Sequence, residues 1–301
     1  MPRLVVATRR SALALAQTRA FIRALVAANP GLEVEELHVV TTGDRIQDRP
    51  LNEIGGKGLF VKEIEEALLE GRADVAVHSM KDLPAQQPQG LVIACVPERA
   101  DPRDVLLVRR GMEPSLSALP KGVRVGSSSL RRKLAILRAR PDAVVEPLRG
   151  NVDTRLRKLE AGTHEAIILA AAGLARIGID PSTLPPNAPV PPSEMLPAVA
   201  QGILAIEARE GDDRVASILA PMEHRESRLR ASAERGVLKA LGADCTVPLA
   251  AHSVVHGDRL TLEAWLDEDG RYRTLHESAS IGDAAAAEAF GLQLGARLLA
   301  G

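Results

Sequence analysis

The chain has 301 residues, of which 26% are charged, and its formal net charge is only -1. This length predicts two or three domains rather than one. Aromatic residues make up 2% of the chain, which is too few for stacking on bases, and the near-neutral charge also disfavours a nucleic-acid partner. No apolar stretch has the length of a signal peptide or a membrane span, so we expect a cytoplasmic protein without a membrane partner.

Over the first hundred residues, short apolar runs alternate with longer helical patterns, which predicts an α/β layer. Ser11 is predicted to cap the first helix, and Arg9 and Ser11 then lie at the carboxyl end of the first strand. Lys81 and Asp82 follow a later strand at residues 74–78. Because ligands of parallel sheets bind at this edge, these side chains are candidate site residues. The elements of this layer are predicted at residues 4–7, 11–28, 34–41, 58–70 and 74–78.

Residues 42–58 form a polar, glycine-rich connection that is longer than most, which is typical of a lid. Its Gly55-Gly56-Lys57-Gly58 stretch lacks the Gly-x4-Gly-Lys-Ser/Thr spacing of a phosphate loop. We therefore predict no nucleotide site here.

A second α/β unit is predicted after the proline- and charge-rich residues 97–104, which we interpret as a hinge. Residues 184–193 hold five prolines and are predicted to be a return linker, and the apolar run 201–209 is predicted to rejoin the first sheet. A chain that crosses twice between two α/β layers forms a cleft, as in hinged anion-binding proteins. The strands of this unit are predicted near residues 105–108, 123–126, 143–147 and 166–170.

Two turns in this unit, at residues 126–132 and 148–155, share one design: an apolar run, a small or glycine residue, then arginines at the start of a helix. Such turns direct backbone N–H groups and guanidinium groups at an anion. Residues 121–158 hold eleven Lys or Arg against three Asp or Glu, a local excess of eight positive charges. The pattern predicts a polyanionic ligand, and a solvated basic helix face remains the alternative.

The last eighty residues predict a small α+β domain with a charged helix at 223–241, three alternating runs and a closing alanine-rich helix. On a strand, His252 and His256 would be about 13 Å apart, too far to share an ion, and we predict no metal site. Of the two cysteines, Cys95 lies in an apolar run and is predicted to be core. Cys245 lies in a polar turn, where a reactive and an inert thiol both remain possible, because Asp244 disfavours the thiolate.

Five motifs, in order along the chain, closely resemble those of the porphobilinogen deaminase, or hydroxymethylbilane synthase, family. Because the resemblance extends over essentially the whole chain, the match is specific. The motifs are Gly55-Gly56-Lys57-Gly58-Leu59-Phe60-Val61-Lys62-Glu63, His78-Ser79-Met80-Lys81-Asp82-Leu83-Pro84, Gly126-Ser127-Ser128-Ser129-Leu130-Arg131-Arg132, Leu148-Arg149-Gly150-Asn151-Val152 and the Cys245 loop.

The resemblance implies a transferase of tetrapyrrole biosynthesis that joins four porphobilinogen molecules head to tail, releases ammonia at each addition and finally frees hydroxymethylbilane. It implies a dipyrromethane cofactor bonded to Cys245 through a thioether, a catalytic role for Asp82, and lid roles for Lys57 and Lys62. For the two lysines, plain solvated charge is the alternative. The positions that match cofactor and substrate contacts are Arg9, Ser11, Phe60, Lys81, Ser127, Ser128, Ser129, Arg131, Arg132, Arg149, Gly150, Arg155, Arg176 and Gln201.

The implied fold class is α/β, with two hinged domains resembling type II periplasmic binding proteins and a small C-terminal α+β domain. We expect domain 1 to comprise residues 1–99 and 200–218, domain 2 residues 100–199 and domain 3 residues 219–301, in a monomer. The chain departs from the family pattern at Ala243-Asp244, before the cysteine, and at Ala200, where glycine is common. If either position requires a positive φ, the turn is strained. A non-catalytic, hinged small-anion-binding protein is the alternative function.

Overall fold

The computed structural model describes residues 2–45, 61–179, 181–242, 247–268 and 270–301. The predicted positions Lys57, Phe60 and Cys245, and most of the predicted lid, lie outside the described residues.

The first sheet has the strand order β2-β1-β3-β10-β4. Strand β1 pairs in parallel with β2 and β3, whereas β10 is antiparallel to β3 and β4. The run that was predicted to rejoin this sheet does so as β10, and the sheet is mixed rather than fully parallel. Its strands are β1 (Arg3–Arg9), β2 (Glu33–Val39), β3 (Val75–Ser79), β4 (Leu91–Cys95) and β10 (Leu204–Arg209).

Helices α1 (Ala12–Ala28), α2 (Thr42–Arg45) and α3 (Lys62–Leu69) belong to this unit. Ser11 caps α1 as predicted, because its side chain accepts a hydrogen bond from the backbone N–H of Ala14 at 3.3 Å. A 3-10 turn, Met80–Asp82, follows β3 directly. Since β1 and β3 are parallel, Arg9 and this turn lie at the same edge of the sheet.

The second sheet has the order β7-β6-β8-β5-β9, with β6 parallel to β7 and β8 and with β5 antiparallel to β8 and β9. Its strands are β5 (Asp104–Val108), β6 (Arg124–Gly126), β7 (Val144–Glu146), β8 (Ala166–Ala170) and β9 (Asn187–Pro189). Its helices are α4 (Leu130–Ala139), α5 (Val152–Glu160) and α6 (Ala171–Ile177), and a 3-10 turn at Pro181–Thr183 precedes β9.

Residues 184–193 lead back toward β10 of the first sheet, as predicted, but they also contain the short strand β9, which was not predicted. Proline lacks a backbone N–H and is tolerated in edge strands, and β9 is the edge of this sheet. The prolines of this segment therefore did not exclude a short strand.

The C-terminal unit is α+β, as predicted. An antiparallel sheet of β11 (Leu249–His256), β12 (Arg259–Glu268) and β13 (Arg271–Ser280) packs on α8 (Arg225–Ala240) and α9 (Ala284–Ala300). Helix α7 (Asp213–Leu219) and the 3-10 turn Ala220–Met222 connect β10 to this unit.

One hydrophobic core joins the first unit to the C-terminal unit. Met80 and Val96 from the first unit pack in the same cluster as Leu229, Val237 and Leu262 from the last. Cys95 is buried in the neighbouring cluster of the first sheet, as predicted, and burial raises the pKa of its thiol to about 12. Among the described helices, none is both long and apolar enough to cross a bilayer.

Candidate functional site

The carboxyl end of β3 places the predicted Lys81 and Asp82 at the sheet edge. Met80 is only 1% exposed and anchors the 3-10 turn in the core, whereas the Asp82 side chain is exposed. Ser79 at the end of β3 donates a hydrogen bond to Gln17 Oε1 at 3.0 Å and so ties the strand to α1. The buried Met80 and the hydrogen bond of Ser79 therefore fix the turn, and the Asp82 carboxylate faces outward.

Lys81 connects this edge to the segment that returns from the second unit. Its Nζ donates to Gln201 Oε1 at 3.3 Å. Burial, with smaller contributions from Arg132 and Arg131, lowers the pKa of Lys81 to about 8, although the charges of Asp82 and Asp104 oppose the shift. Because burial disfavours the charged form of Lys81, a ligand carboxylate beside it would stabilise the cation.

Gln201 extends this connection into the second unit. It is 1% exposed, and its Nε2 donates to Pro102 O at 2.7 Å and to Asp104 Oδ1 at 3.0 Å. The predicted site residue Gln201 therefore bridges the end of β3 and the beginning of β5.

Asp104 is the centre of the buried polar group that holds Arg131 and Arg132. Arg131 Nη2 donates to Asp104 Oδ2 at 2.6 Å, and Arg132 Nη2 donates to Oδ1 at 2.7 Å. The remaining described contacts of the two guanidinium groups are the carbonyls of Leu196 and Ile168. The sequence pattern predicted that both arginines bind ligand carboxylates, but their described contacts are made within the protein.

The two predicted anion turns are neighbours, because β6 and β7 are parallel and each leads into a helix. Ser129 caps α4 and Asn151 caps α5, accepting from the N–H groups of Arg132 and Thr154. Ser128 Oγ donates to Leu148 O at 3.0 Å and accepts from Leu148 N at 3.1 Å, which joins the turns. Two helix N-termini thus open at one edge of the second sheet.

Gly150 and Ser127 shape these turns. Gly150 has φ +110, and a Cβ there would meet the Thr154 side chain at 2.6 Å. Ser127 is 8% exposed, and its Oγ accepts from Ser129 N at 3.3 Å. Both residues thus set the path of the backbone at the helix entrances.

Arg155 and Arg176 are half-buried guanidinium groups whose described hydrogen bonds go to backbone carbonyls rather than to carboxylates. Arg155 Nε donates to Gly150 O at 2.8 Å, and Arg176 Nη2 donates to Gly202 O at 2.7 Å. Burial lowers the pKa of Arg155, with the charge of Arg132 adding to it, and burial lowers the pKa of Arg176 to about 10. Both guanidinium groups are therefore suited to receive an external anion.

The remaining predicted site residues differ in burial and in position. Arg9 and Arg149 are half-buried, Arg9 at the end of β1 and Arg149 in the turn before α5, whereas Ser11 is engaged as the cap of α1. Lys62 is exposed at the start of α3, with Glu66 Oε1 at 4.0 Å, which favours the solvated-charge alternative for this lysine.

The return turn at Ala200-Gln201-Gly202 requires a positive φ at Ala200, the case for which the sequence predicts strain. Ala200 has φ 55, the only positive φ among described non-glycine residues, and Gly202 has φ +90. At Gly202 a Cβ would meet Ala100 O at 2.5 Å, so glycine is required there. Glu234 Oε2 accepts from Ala200 N at 2.7 Å and holds the strained residue in place.

Sequence reasoning missed Asp104, which was interpreted as part of a charged hinge. The available signal was a carboxylate at the first position of an entirely apolar strand, where a buried charge requires a partner. This signal does not identify Arg131 and Arg132 as the partners of Asp104.

Comparisons with known proteins identify the family of the chain. Residues 4–217 match the family model described as porphobilinogen deaminase, dipyromethane cofactor binding domain, and residues 228–300 match the porphobilinogen deaminase C-terminal domain. A protein from Sorangium cellulosum named porphobilinogen deaminase is 51% identical over 301 residues, covering 99% of each chain. One of the same name from Albidiferax ferrireducens is 48% identical over 304 residues, covering 100% of this chain and 94% of the relative.

Solved structures give a weaker likeness. A periplasmic binding protein with high arginine specificity from Salmonella typhimurium is 12% identical, with a TM-score of 0.41 over 74% of this chain and 92% of that one. The family models and the full-length relatives decide the assignment: the chain belongs to the porphobilinogen deaminase family.

Proposed function

We propose that Asp82 is the catalytic carboxylate of this chain, that Cys245 carries its dipyrromethane cofactor, and that the basic groups between the two sheets bind the acetate and propionate groups of cofactor and substrate. The family acts in tetrapyrrole biosynthesis by deamination of porphobilinogen and has a dipyrromethane cofactor domain. What is proposed is therefore the assignment of residues to the reaction, not the class of enzyme.

The observation that carries the proposal is the excess of partly buried cations without carboxylate partners. Arg155 and Arg176 bind only carbonyls among the described residues, and burial lowers the pKa of both groups. Burial likewise lowers the pKa of Lys81, to about 8. Such groups are unfavourable alone and are stabilised by a polyanion, so the residues present fit a cofactor that carries several carboxylates.

Asp82 is suited to the chemistry by position and by exposure. When bound, the dipyrromethane supplies the pyrrole carbon to which the first substrate unit is joined. The exposed Asp82 carboxylate lies at the end of the 3-10 turn. It can accept a hydrogen bond from a pyrrole N–H and stabilise the positive charge that develops on that nitrogen. Lys81, beside it, orients a carboxylate and holds Gln201.

The domain division and cellular setting form part of the proposal. The membership of the three sheets supports domain 1 as residues 1–99 and 200–218, domain 2 as 100–199 and domain 3 as 219–301. We propose that domains 1 and 2 move about the segments near Arg99 and Gln201 during elongation. The two cysteines are too few for a disulfide framework and fit a reducing compartment, which supports a cytoplasmic enzyme. The low aromatic content argues against a nucleic-acid partner, and we propose a monomer that acts without nucleic acid or membrane.

The intact mass of the denatured protein tests the cofactor assignment. We expect the wild type to carry an added mass equal to a dipyrromethane, and the Cys245→Ser variant to lack it. If the wild type is unmodified, porphobilinogen is added. Formation of the adduct then identifies an apoenzyme, whereas its absence favours the small-anion-binding alternative.

Replacement of Asp82 tests the catalytic assignment. We expect Asp82→Asn to lower kcat by about 100-fold or more, because the amide neither accepts a proton nor stabilises a cation as the carboxylate does. Asp82→Glu keeps the charge and should retain more activity than Asp82→Asn. The proposed role is refuted if the Asn variant, with its cofactor intact by mass, turns over as fast as the wild type.

A further inference from the structure

Arg235 on α8 is a buried guanidinium group that has no part in the assignments above. It is 4% exposed and lies on the helix whose apolar face packs the C-terminal unit on the first unit. Its Nη2 donates to Pro84 O at 2.9 Å and to Ala85 O at 3.0 Å, and lies 3.2 Å from Gln87 Oε1. A side chain of the C-terminal unit therefore holds the segment that directly follows Asp82.

The backbone between Asp82 and these carbonyls has little freedom. Leu83 N donates to Met80 O at 3.1 Å, which closes the 3-10 turn, and the Leu83 side chain is buried in the same core cluster as α8. The Pro84 ring fixes its own φ and favours the extended backbone that Leu83 adopts, with φ -78 and ψ 142. A displacement of the Pro84 carbonyl is therefore transmitted to the turn that carries Asp82.

The contacts of Arg235 supply direction rather than charge pairing. Its described hydrogen bonds go to neutral oxygens, and its Nη1 is buried without a hydrogen-bond partner among the described residues. Burial lowers the pKa of Arg235 to about 10, although the charges of Glu288 and Glu207 oppose the shift. An apolar side chain of similar length would avoid this loss of hydration, but it would leave the carbonyls of the segment without a donor.

We propose that Arg235 is a positioning residue for the reaction, which fixes the turn that carries Lys81 and Asp82 through the carbonyls that follow it. Ser79 and Met80 hold the same turn on its N-terminal side. The C-terminal unit thus takes part in placing the carboxylate, although that carboxylate belongs to the first unit. The inference rests on the proposed role of Asp82, since it is through this residue that Arg235 affects the rate.

A double-mutant cycle in the cofactor-loaded enzyme tests this inference, with kcat and KM measured for wild type, Arg235→Met, Asp82→Asn and the double variant. We expect Arg235→Met to lower kcat by about tenfold at unchanged KM, because the carboxylate is displaced from the reacting atoms. In the Asp82→Asn background, the same substitution should lower kcat by about twofold or less, because the carboxylate that Arg235 positions is absent. Arg235→Lys retains one donor and should recover part of the rate.

Arg228→Met is the matched control. Arg228 also lies on α8, and its Nη1 donates to the carbonyl of Ile93 on β4 at 2.9 Å, so it makes a similar contact between the same two units away from the turn. It should change kcat by about twofold or less. Intact mass confirms that each variant carries its cofactor.

Two results would overturn the inference alone. One is an equal loss of kcat in Arg228→Met and Arg235→Met, and the other is an equal loss from Arg235→Met in both backgrounds of the cycle. Either would show a general loosening of the contact between the units. An Asp82→Asn variant that turns over as fast as the wild type would instead overturn the proposed function, and this inference with it.

A second measurement uses the wild-type holoenzyme and does not depend on the folding of any variant. Hydrogen exchange followed by NMR compares the Leu83 amide proton with the Nη2 protons of Arg235. We expect protection factors within about tenfold of each other, because one local opening breaks both sets of hydrogen bonds. A Leu83 amide that exchanges much faster shows that the turn opens while Arg235 stays bound. A much slower one shows that the turn stays closed without Arg235, and both results contradict the inference.

Discussion

At the scale of single residues, Asp104 is the point at which the two halves of the candidate site meet. It is fully buried and accepts hydrogen bonds from Arg131, Arg132 and Gln201. Burial alone would raise the pKa of Asp104, but the two guanidinium groups hold it well below its usual range. Because the folded pKa is lower than the unfolded one, this carboxylate stabilises the fold above about pH 4, and the effect is lost as the pH falls toward the folded value.

We expect Asp104→Asn to destabilise the protein by about 3–5 kcal/mol at neutral pH, because it leaves two buried guanidinium groups without a counter-charge. Urea unfolding measures the change. The matched control is Asp101→Asn, since Asp101 pairs with Arg103 at the surface and should change stability by about 1 kcal/mol or less. Equal losses in the free energy of unfolding for the two variants would contradict the role of Asp104. So would a difference in this free energy between wild type and Asp104→Asn that does not become smaller below about pH 4.

At the scale of secondary-structure elements, α8 and α9 are held together by glycines that allow their backbones to touch. Gly236 and Gly295 on the two helices leave no room for a side chain: a Cβ at Gly236 would meet Glu288 O at 2.5 Å, and one at Gly295 would meet Ala240 Cβ at 2.7 Å. Gly291 faces the carbonyl of Ala233 still more closely. This close contact aligns the helices over the C-terminal sheet.

Gly291→Ala should therefore destabilise the protein by about 2–4 kcal/mol, although alanine favours helices more than glycine does. The new methyl group meets backbone, which cannot move aside as a flexible side chain would. Gly282→Ala is the control, because a Cβ at Gly282 meets nothing within 4 Å. Thermal or urea unfolding of both variants decides the matter, and a stabilising Gly291→Ala would show that the helices can separate at little cost.

Elements that depend on local pattern could be predicted from the sequence, whereas those that depend on distant partners could not. The cap at Ser11 follows from a local side chain, and the strand conformation of β10 follows from its apolar run. Strand β9 forms because it pairs with β5, some eighty residues earlier. Its prolines favoured a linker over a strand in the sequence analysis. The contacts of Arg131 and Arg132 with Asp104 could not be predicted either. The sequence shows a basic cluster but does not identify the carboxylate that pairs with it.

At the scale of the whole molecule, a shared core and the buried ion pair of Arg99 and Glu234 hold the C-terminal unit on the first unit. Glu234 on α8 is fully buried and accepts from Arg99 Nη1 at 2.6 Å, from Ala200 N at 2.7 Å and from Ser253 N at 2.8 Å. Burial would raise the pKa of Glu234, but Arg99 and His252 hold it below its usual range. One carboxylate thus joins α8, β11 and the segments that connect the first and second sheets.

Glu234→Gln should destabilise both units together by about 3–5 kcal/mol, because the buried Arg99 loses its counter-charge and both units contribute to one core. Glu226→Gln on the same helix is the control, since Glu226 pairs with Arg230 at a side-chain exposure of 45%. Hydrogen exchange measured strand by strand is the sharpest test. Protection should fall in β3 and β10 as much as in β12, because opening the junction exposes the core on both sides. A loss of protection confined to β12 would show instead that the C-terminal unit opens alone, and that the turn carrying Asp82 is held by the first sheet without help from α8.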